Sequence, residues 1–145
     1  MPARKSTKSS TVTRNEAYVD TSALIAFADR SDTYHALFHR LFSEPPPLVT
    51  TPLVVAEGHA WFLKRYDIAK GLHFLSMVES MPLKILSVGP QEQRAATVFI
   101  RKYSDQDLTM TDATGLQVMA SRRIRVCWST DFHLGLTNVP LVIYS

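Results

Sequence analysis

A chain of 145 residues, 46% apolar and 20% charged, has the length and balance of one globular domain with a sizeable core. It holds no apolar run of membrane-spanning length, no secretory-signal pattern, and one cysteine, Cys127, which cannot close an internal disulfide; the expectation is a cytoplasmic protein with a buried structural thiol and no membrane partner. The net charge of +3 is concentrated at the start, because Arg4, Lys5, Lys8 and Arg14 precede the first acid, Glu16, and without those four the formal charge is −1, so bulk charge does not mark the rest as a nucleic-acid binder.

Residues 1–15, rich in Ser, Thr, Lys and Arg, offer too little apolar surface to offset ordering and are expected to form a flexible basic tail, with residues 16–145 as the folded domain. Ala17-Tyr18-Val19 is a short strand pattern ending at Asp20, and the apolar residues from Ala23 to Ala28 predict a helix directly after it. Asp20 therefore stands where a strand's carboxyl end meets a helix start. That is the place for a ligand-site acid in an open α/β sheet, and equally the place for a helix cap. A second helical pattern starts at Asp32 and runs to Leu41. Its His35 and His39, spaced i, i+4, lack the intervening Glu of a zinc motif and read as a solvated face.

Glu44-Pro45-Pro46-Pro47 ends that helix, and Leu48-Val49-Thr50 is the next strand. Pro52 opens a helix on which Leu53, Val54, Ala56, Ala60 and Trp61 make an apolar stripe, and Glu57 is expected to share it, facing inward. Asp67 starts another helix, with Ile68, Leu72, Leu75, Met77 and Val78 as core candidates. Leu83 to Leu86 is a third strand pattern, and residues 91–103 make a more polar helix with Ala95, Val98 and Phe99 inward.

Thr109, followed three residues later by Asp112, is a capping-box pattern opening a helix whose stripe is Ala113, Leu116, Met119 and Ala120. Asp112 lies on that stripe, where an unpaired charge is costly; either it caps the helix or something positive meets it. Arg122-Arg123 suits the negative end of this helix. Residues 125–130 form a strand with Asp131 directly after it, and Leu141 to Ile143 a last strand. Strands alternating with helices predict a mainly parallel sheet between helical layers.

Four acids in order, on this strand–helix pattern, carry a resemblance. Val19-Asp20-Thr21-Ser22-Ala23, Ala56-Glu57, the Leu108–Ala113 stretch and Ser129-Thr130-Asp131 resemble the acidic signatures of PIN domains, most of all those of the VapC-type ribonucleases of toxin–antitoxin modules. The resemblance runs from about Tyr18 onward. It implies a three-layer α/β/α sandwich around a mainly parallel sheet of about five strands, and an endoribonuclease dependent on Mg²⁺ or Mn²⁺. It further implies Asp20, Glu57, Asp112 and Asp131 as catalytic and metal-holding acids, with Thr21, Ser22 and Thr130 as hydroxyl neighbours and Asp107 as a weaker extra. The partners it implies are an RNA substrate, an antitoxin protein and a second copy of the chain. Physically, four carboxylates at one end of a sheet repel one another unless a hard, oxygen-seeking cation joins them. Two other readings stand beside this one: a non-catalytic module of the same fold, and a Mg²⁺-dependent phosphatase, whose usual Asp-x-Asp is broken here by Ser22. Lastly, Phe27, Phe38, Phe42, Trp61, Phe62, Leu63 and Phe74 are more large side chains than single buried faces require, and part of that surface is expected to be a groove or a self-association face.

Overall fold

In the computed structural model, which describes residues 15–144, four short strands form one sheet in the order β3-β2-β1-β4, with every pairing parallel. The strands are β1 (Ala17–Val19), β2 (Leu48–Thr50), β3 (Leu83–Ile85) and β4 (Cys127–Trp128). Six helices flank them: α1 (Thr21–Ala28), α2 (His35–Leu41), α3 (Pro52–Arg65), α4 (Ile68–Ser80), α5 (Pro90–Lys102) and α6 (Met110–Arg122). The expected basic tail lies almost wholly outside the described residues.

All three residues of β1 are fully buried, as the central strand of a parallel sheet covered on both faces requires. At the edge, β3 leaves Ile85 exposed. The expected fifth strand contracts to a single bridge between Leu141 and Cys127, after which Val142–Tyr144 turn into a 3-10 helix. The predicted ladder at 125–130 is likewise short, since β4 pairs only through Cys127 and Trp128.

Close approach fixes the helical layers. α6 lies against β1 through Gly115, where a Cβ would come within 2.9 Å of both Tyr18 and Leu134. α3 and α4 meet at Gly58, where a Cβ would stand 2.3 Å from the Phe74 ring. The buried face of α3 is therefore Val54, Gly58 and Phe62 at i, i+4 spacing. This face is rotated away from the stripe the sequence suggests, because the glycine, and not the larger apolar residues, marks the contact. The same rotation applies to α4, which buries Gly71, Phe74 and Val78 and leaves Ile68 and Leu72 exposed. On α5, Ala96 is buried and Val98 faces solvent. Phe38, Phe62 and Phe74 are core residues; the exposed apolar groups of this region are Leu63, Tyr66, Ile68 and Leu72.

Three charged residues are spent on structure. The Arg122 guanidinium forks onto Glu16, with Nε 3.1 Å from Oε1 and Nη2 2.7 Å from Oε2. Asp67 caps α4 by accepting from the Lys70 N–H, as its position predicts.

Candidate active site

The parallel register sets the site. Val19 pairs with Trp128, so the residues just past the two strand ends, Asp20 and Ser129, become neighbours. The Asp20 N–H extends the ladder by donating to the Trp128 carbonyl. Its side chain forms no cap on α1, although it occupies the cap position. Instead Oδ2 accepts from the Ser129 hydroxyl at 2.9 Å and from the Ser22 hydroxyl at 3.1 Å. Burial pushes the Asp20 carboxyl from 3.8 up to about 6; the hydroxyl bonds pull the other way, and the charge of Asp112 adds to the rise.

Asp112 arrives from α6 and does what its capping pattern predicts. Its N–H donates to Thr109 Oγ1, and its Oδ2 accepts from the Thr109 N–H. The cap consumes one carboxylate oxygen and fixes the side chain at the helix start, 7% exposed. Its carboxyl is raised by burial and then by the charge of Asp131. Asp131 follows β4 and is held by its own turn: its N–H donates to Ser129 Oγ, and its Oδ1 accepts from the His133 N–H.

Glu57 corrects the expectation of an inward stripe. It is exposed on α3, one residue before the buried Gly58, and opens onto the cleft. The four acids line one cleft of about 630 Å³, together with Thr21, Ser22, Ile25, Ala60, Trp61, Lys64 and Arg65. The hydroxyl assignments divide. Ser22 joins Asp20, whereas Thr21 is buried with no hydrogen-bond partner for its hydroxyl among the described residues. Thr130 contributes its backbone N–H, donated to Ser22 Oγ, and does not line the cleft. Asp107 is exposed in a left-handed turn (φ 52°) and is not brought to the cleft.

Two residues escape the sequence reading. Ser129 binds Asp20 and Asp131 at once; a hydroxyl in the last position before a Thr-Asp pair was the only signal for it. His133 places Nδ1 2.7 Å from Asp131 Oδ1 and Nε2 2.6 Å from the Gln106 carbonyl. Burial alone would lower its pKa, but the hydrogen bond and charge of Asp131, the Gln106 carbonyl and the charge of Asp112 outweigh it and raise the value. Two positions after the fourth acid is the signal it left in the sequence.

The donor set fits a divalent cation. Asp112, Asp131 and His133 offer atoms within 4.8 Å of one another, and the raised Asp20 and Asp112 carboxyls mark a cluster of negative charge with no Lys or Arg ion-paired to it among the described residues. Oxygen donors suit Mg²⁺ or Mn²⁺.

Known proteins share this arrangement of the chain. Ribonuclease VapC26 of Mycobacterium tuberculosis is 28% identical over 114 residues, spanning 78% of this chain and 84% of the relative. The crystal structure of Mycobacterium tuberculosis VapC20, a toxin that cleaves the sarcin–ricin loop, superposes with a TM-score of 0.77 over 85% of this chain and 95% of that one, at 20% identity. A toxin–antitoxin complex from Klebsiella pneumoniae gives a TM-score of 0.59 at 17% identity, covering 87% of this chain and 95% of the matched one. The PIN domain pattern itself matches residues 17–136, nearly the whole described fold with all four acids inside it, and the chain belongs to the PIN domain family.

Proposed function

We propose that the protein is an endoribonuclease dependent on Mg²⁺ or Mn²⁺, and the toxin of a type II toxin–antitoxin pair. The observation that carries the reading is the convergence of Asp20, Glu57, Asp112 and Asp131 on one cleft at the carboxyl end of the sheet. The ribonuclease VapC26 supports the choice of RNA over other phosphodiesters, and the Klebsiella complex supports a protein antitoxin as partner.

Asp20, Asp112 and Asp131 would hold the cation, with Glu57 completing the pocket from the facing helix. A bound Mg²⁺ or Mn²⁺ supplies charge to offset the phosphoryl oxygens and activates water for attack on phosphorus. The chain's own groups do the rest. Ser22 and Ser129 aim the Asp20 carboxylate, the Thr109 cap fixes Asp112, and His133 fixes Asp131 against the Gln106 backbone. The partly apolar cleft wall lowers the local dielectric, so each of these charges acts more strongly than it would in water. The same reading makes the protein a cytoplasmic homodimer, and the exposed Leu63, Tyr66, Ile68 and Leu72 around the α3–α4 turn support an association face there.

The test is RNA cleavage by purified protein in Mg²⁺, in Mn²⁺ and in excess chelator, with Asp20→Asn and Asp112→Asn alongside. Cleavage present with either cation and lost in the other three conditions is the expected result. Undiminished cleavage in chelator, or by Asp20→Asn, overturns the assignment.

A further inference from the structure

Five cleft residues come from α3 and fall on one face of it: Glu57, Ala60, Trp61, Lys64 and Arg65, at offsets of zero, three, four, seven and eight. Along the helix axis Trp61 stands about 6 Å beyond Glu57, and Lys64 and Arg65 about 10–12 Å beyond it. The face thus runs from carboxylate through indole to two cations, all opening onto the same cleft.

α3 supplies the buried core through Val54, Gly58 and Phe62; of the cleft-facing residues only Trp61 also packs against that core, along part of its ring. Trp61 is half-buried and braced by near-perpendicular ring contacts with Phe62 at 4.9 Å and Tyr66 at 6.1 Å. Lys64 and Arg65 are exposed and form no ion pair among the described residues. Arg65 lies over the Tyr66 ring and its charge reaches Asp29.

A polyanion entering this cleft meets four carboxylates. Even with a divalent cation at the acids, the phosphates on either side of the scissile one remain uncompensated there. The two cations at the far end of α3 are the groups in the cleft that offset them. An aromatic side chain between the acids and the cations matches the way single-stranded nucleic acid is held, with a base stacked on the ring and its phosphate on a basic neighbour.

We propose that this face of α3 is a nucleotide subsite adjoining the acidic centre: Trp61 stacks one unpaired base of the RNA, and Lys64 and Arg65 hold the phosphate beyond it. The inference rests on the ribonuclease reading and narrows it to single-stranded segments, because a paired base must leave its stack to reach the indole.

Tryptophan emission tests it, because the second tryptophan, Trp128, is 3% exposed and packed against Phe38 and Phe42. Full-length protein carrying Asp20→Asn, to suppress turnover, is titrated with oligouridylate in Mg²⁺. Emission is expected to be quenched on binding. Adding Trp61→Leu should abolish the quench and weaken binding about 5- to 150-fold, the value of one base stack, while Trp61→Phe restores most of the affinity. An RNA hairpin duplex should bind more weakly than the single strand. Lys64→Gln with Arg65→Gln should flatten the slope of log affinity against log salt by about 1.4, at about 0.7 per charge on a single strand.

The subsite is overturned if otherwise wild-type protein cleaves RNA with metal while Trp61→Leu binds oligouridylate unchanged and the cation variant keeps its salt slope. It is equally overturned if Trp61→Leu weakens only a co-purified protein partner, which would assign the face to that partner. Failure of the wild-type chain to cleave any RNA with metal is a different result, and removes the ribonuclease reading itself.

Discussion

Glu16 and Asp20 are acids at the two ends of the same buried strand, 4% and 3% exposed, and the chain treats them in opposite ways. Glu16 receives both arms of the Arg122 guanidinium, so its charge is neutralised within the fold. Asp20 receives two hydroxyls and the pull of the Thr21 backbone, with no ion-paired Lys or Arg among the described residues, and faces the charge of Asp112. A buried acid supplied with its own cation is structural. On the proposed reading, a buried acid supplied with hydroxyls and more acids is there for a cation from outside, and the fold carries its cost until that cation arrives.

The sharpest way to break this comparison is Asp20→Asn. Activity should fall about 10²–10⁴-fold, the rate equivalent of several kcal/mol of charge stabilisation, while the metal-free fold becomes more stable at neutral pH. The sign follows from the raised pKa. Between 3.8 and about 6 the folded state binds the Asp20 proton and the unfolded chain does not, so stability falls as pH rises through that window and stays low above it. Raised Asp112 adds in the same direction. Denaturation at a series of pH values should show this slope in the wild-type protein and a flatter one in Asp20→Asn, with a gain of order 2–3 kcal/mol above the window. A loss of stability at neutral pH in Asp20→Asn would put Asp20 in the same class as Glu16.

Removing Glu16's cation is the converse experiment. Arg122→Ala should cost about 3 kcal/mol, the low end for a broken buried pair because Arg122 is itself 23% exposed, and should leave turnover per folded molecule intact. Chemical denaturation reads the first and an active-fraction-corrected rate the second. Adding Mg²⁺ to the metal-free wild-type protein should raise stability by about 2.7 kcal/mol at a hundred times its dissociation constant, with no such gain in Asp20→Asn.

His133 lies between the two classes, since it is a partner inside the chain for an acid of the cleft. His133→Ala should reduce cleavage about 10- to 100-fold, mainly by raising the metal concentration needed for half-maximal rate, as loss of a ligand-orienting group does. The smallest effect expected is from deleting residues 1–15: metal-dependent turnover of a short RNA should persist, with any loss of affinity confined to low salt.

The acids of this site were legible because each sits beside a strong local signal. Asp20 and Asp131 follow strand patterns, and Asp112, the third residue of its helix, closes a capping box that forms as written. Glu57 lines the cleft from an exposed position, and not from the inward stripe that the sequence suggests. Its helix buries the glycine face, and composition alone favours the face carrying Leu53 and Trp61. Helix rotation depends on which partner approaches closely, and the Gly58–Phe74 contact that sets it links residues from two helices. Leu141 to Ile143 read as a strand from their apolar run, yet only Leu141 bridges to Cys127 before the chain coils.

The sequence by itself determined the alternation of strand and helix, the positions of Asp20, Asp112 and Asp131 at element boundaries, and the capping of α4 and α6, because each depends on residues within a few positions of one another. Only the tertiary structure decided that Ser129 and Ser22 share Asp20, that His133 and the Gln106 carbonyl hold Asp131, that Glu16 belongs to Arg122, and that Trp61, Lys64 and Arg65 open on the acids. Those relations join residues up to 109 positions apart, and pairing at that range is fixed by sheet order, register and helix rotation, which no local pattern specifies.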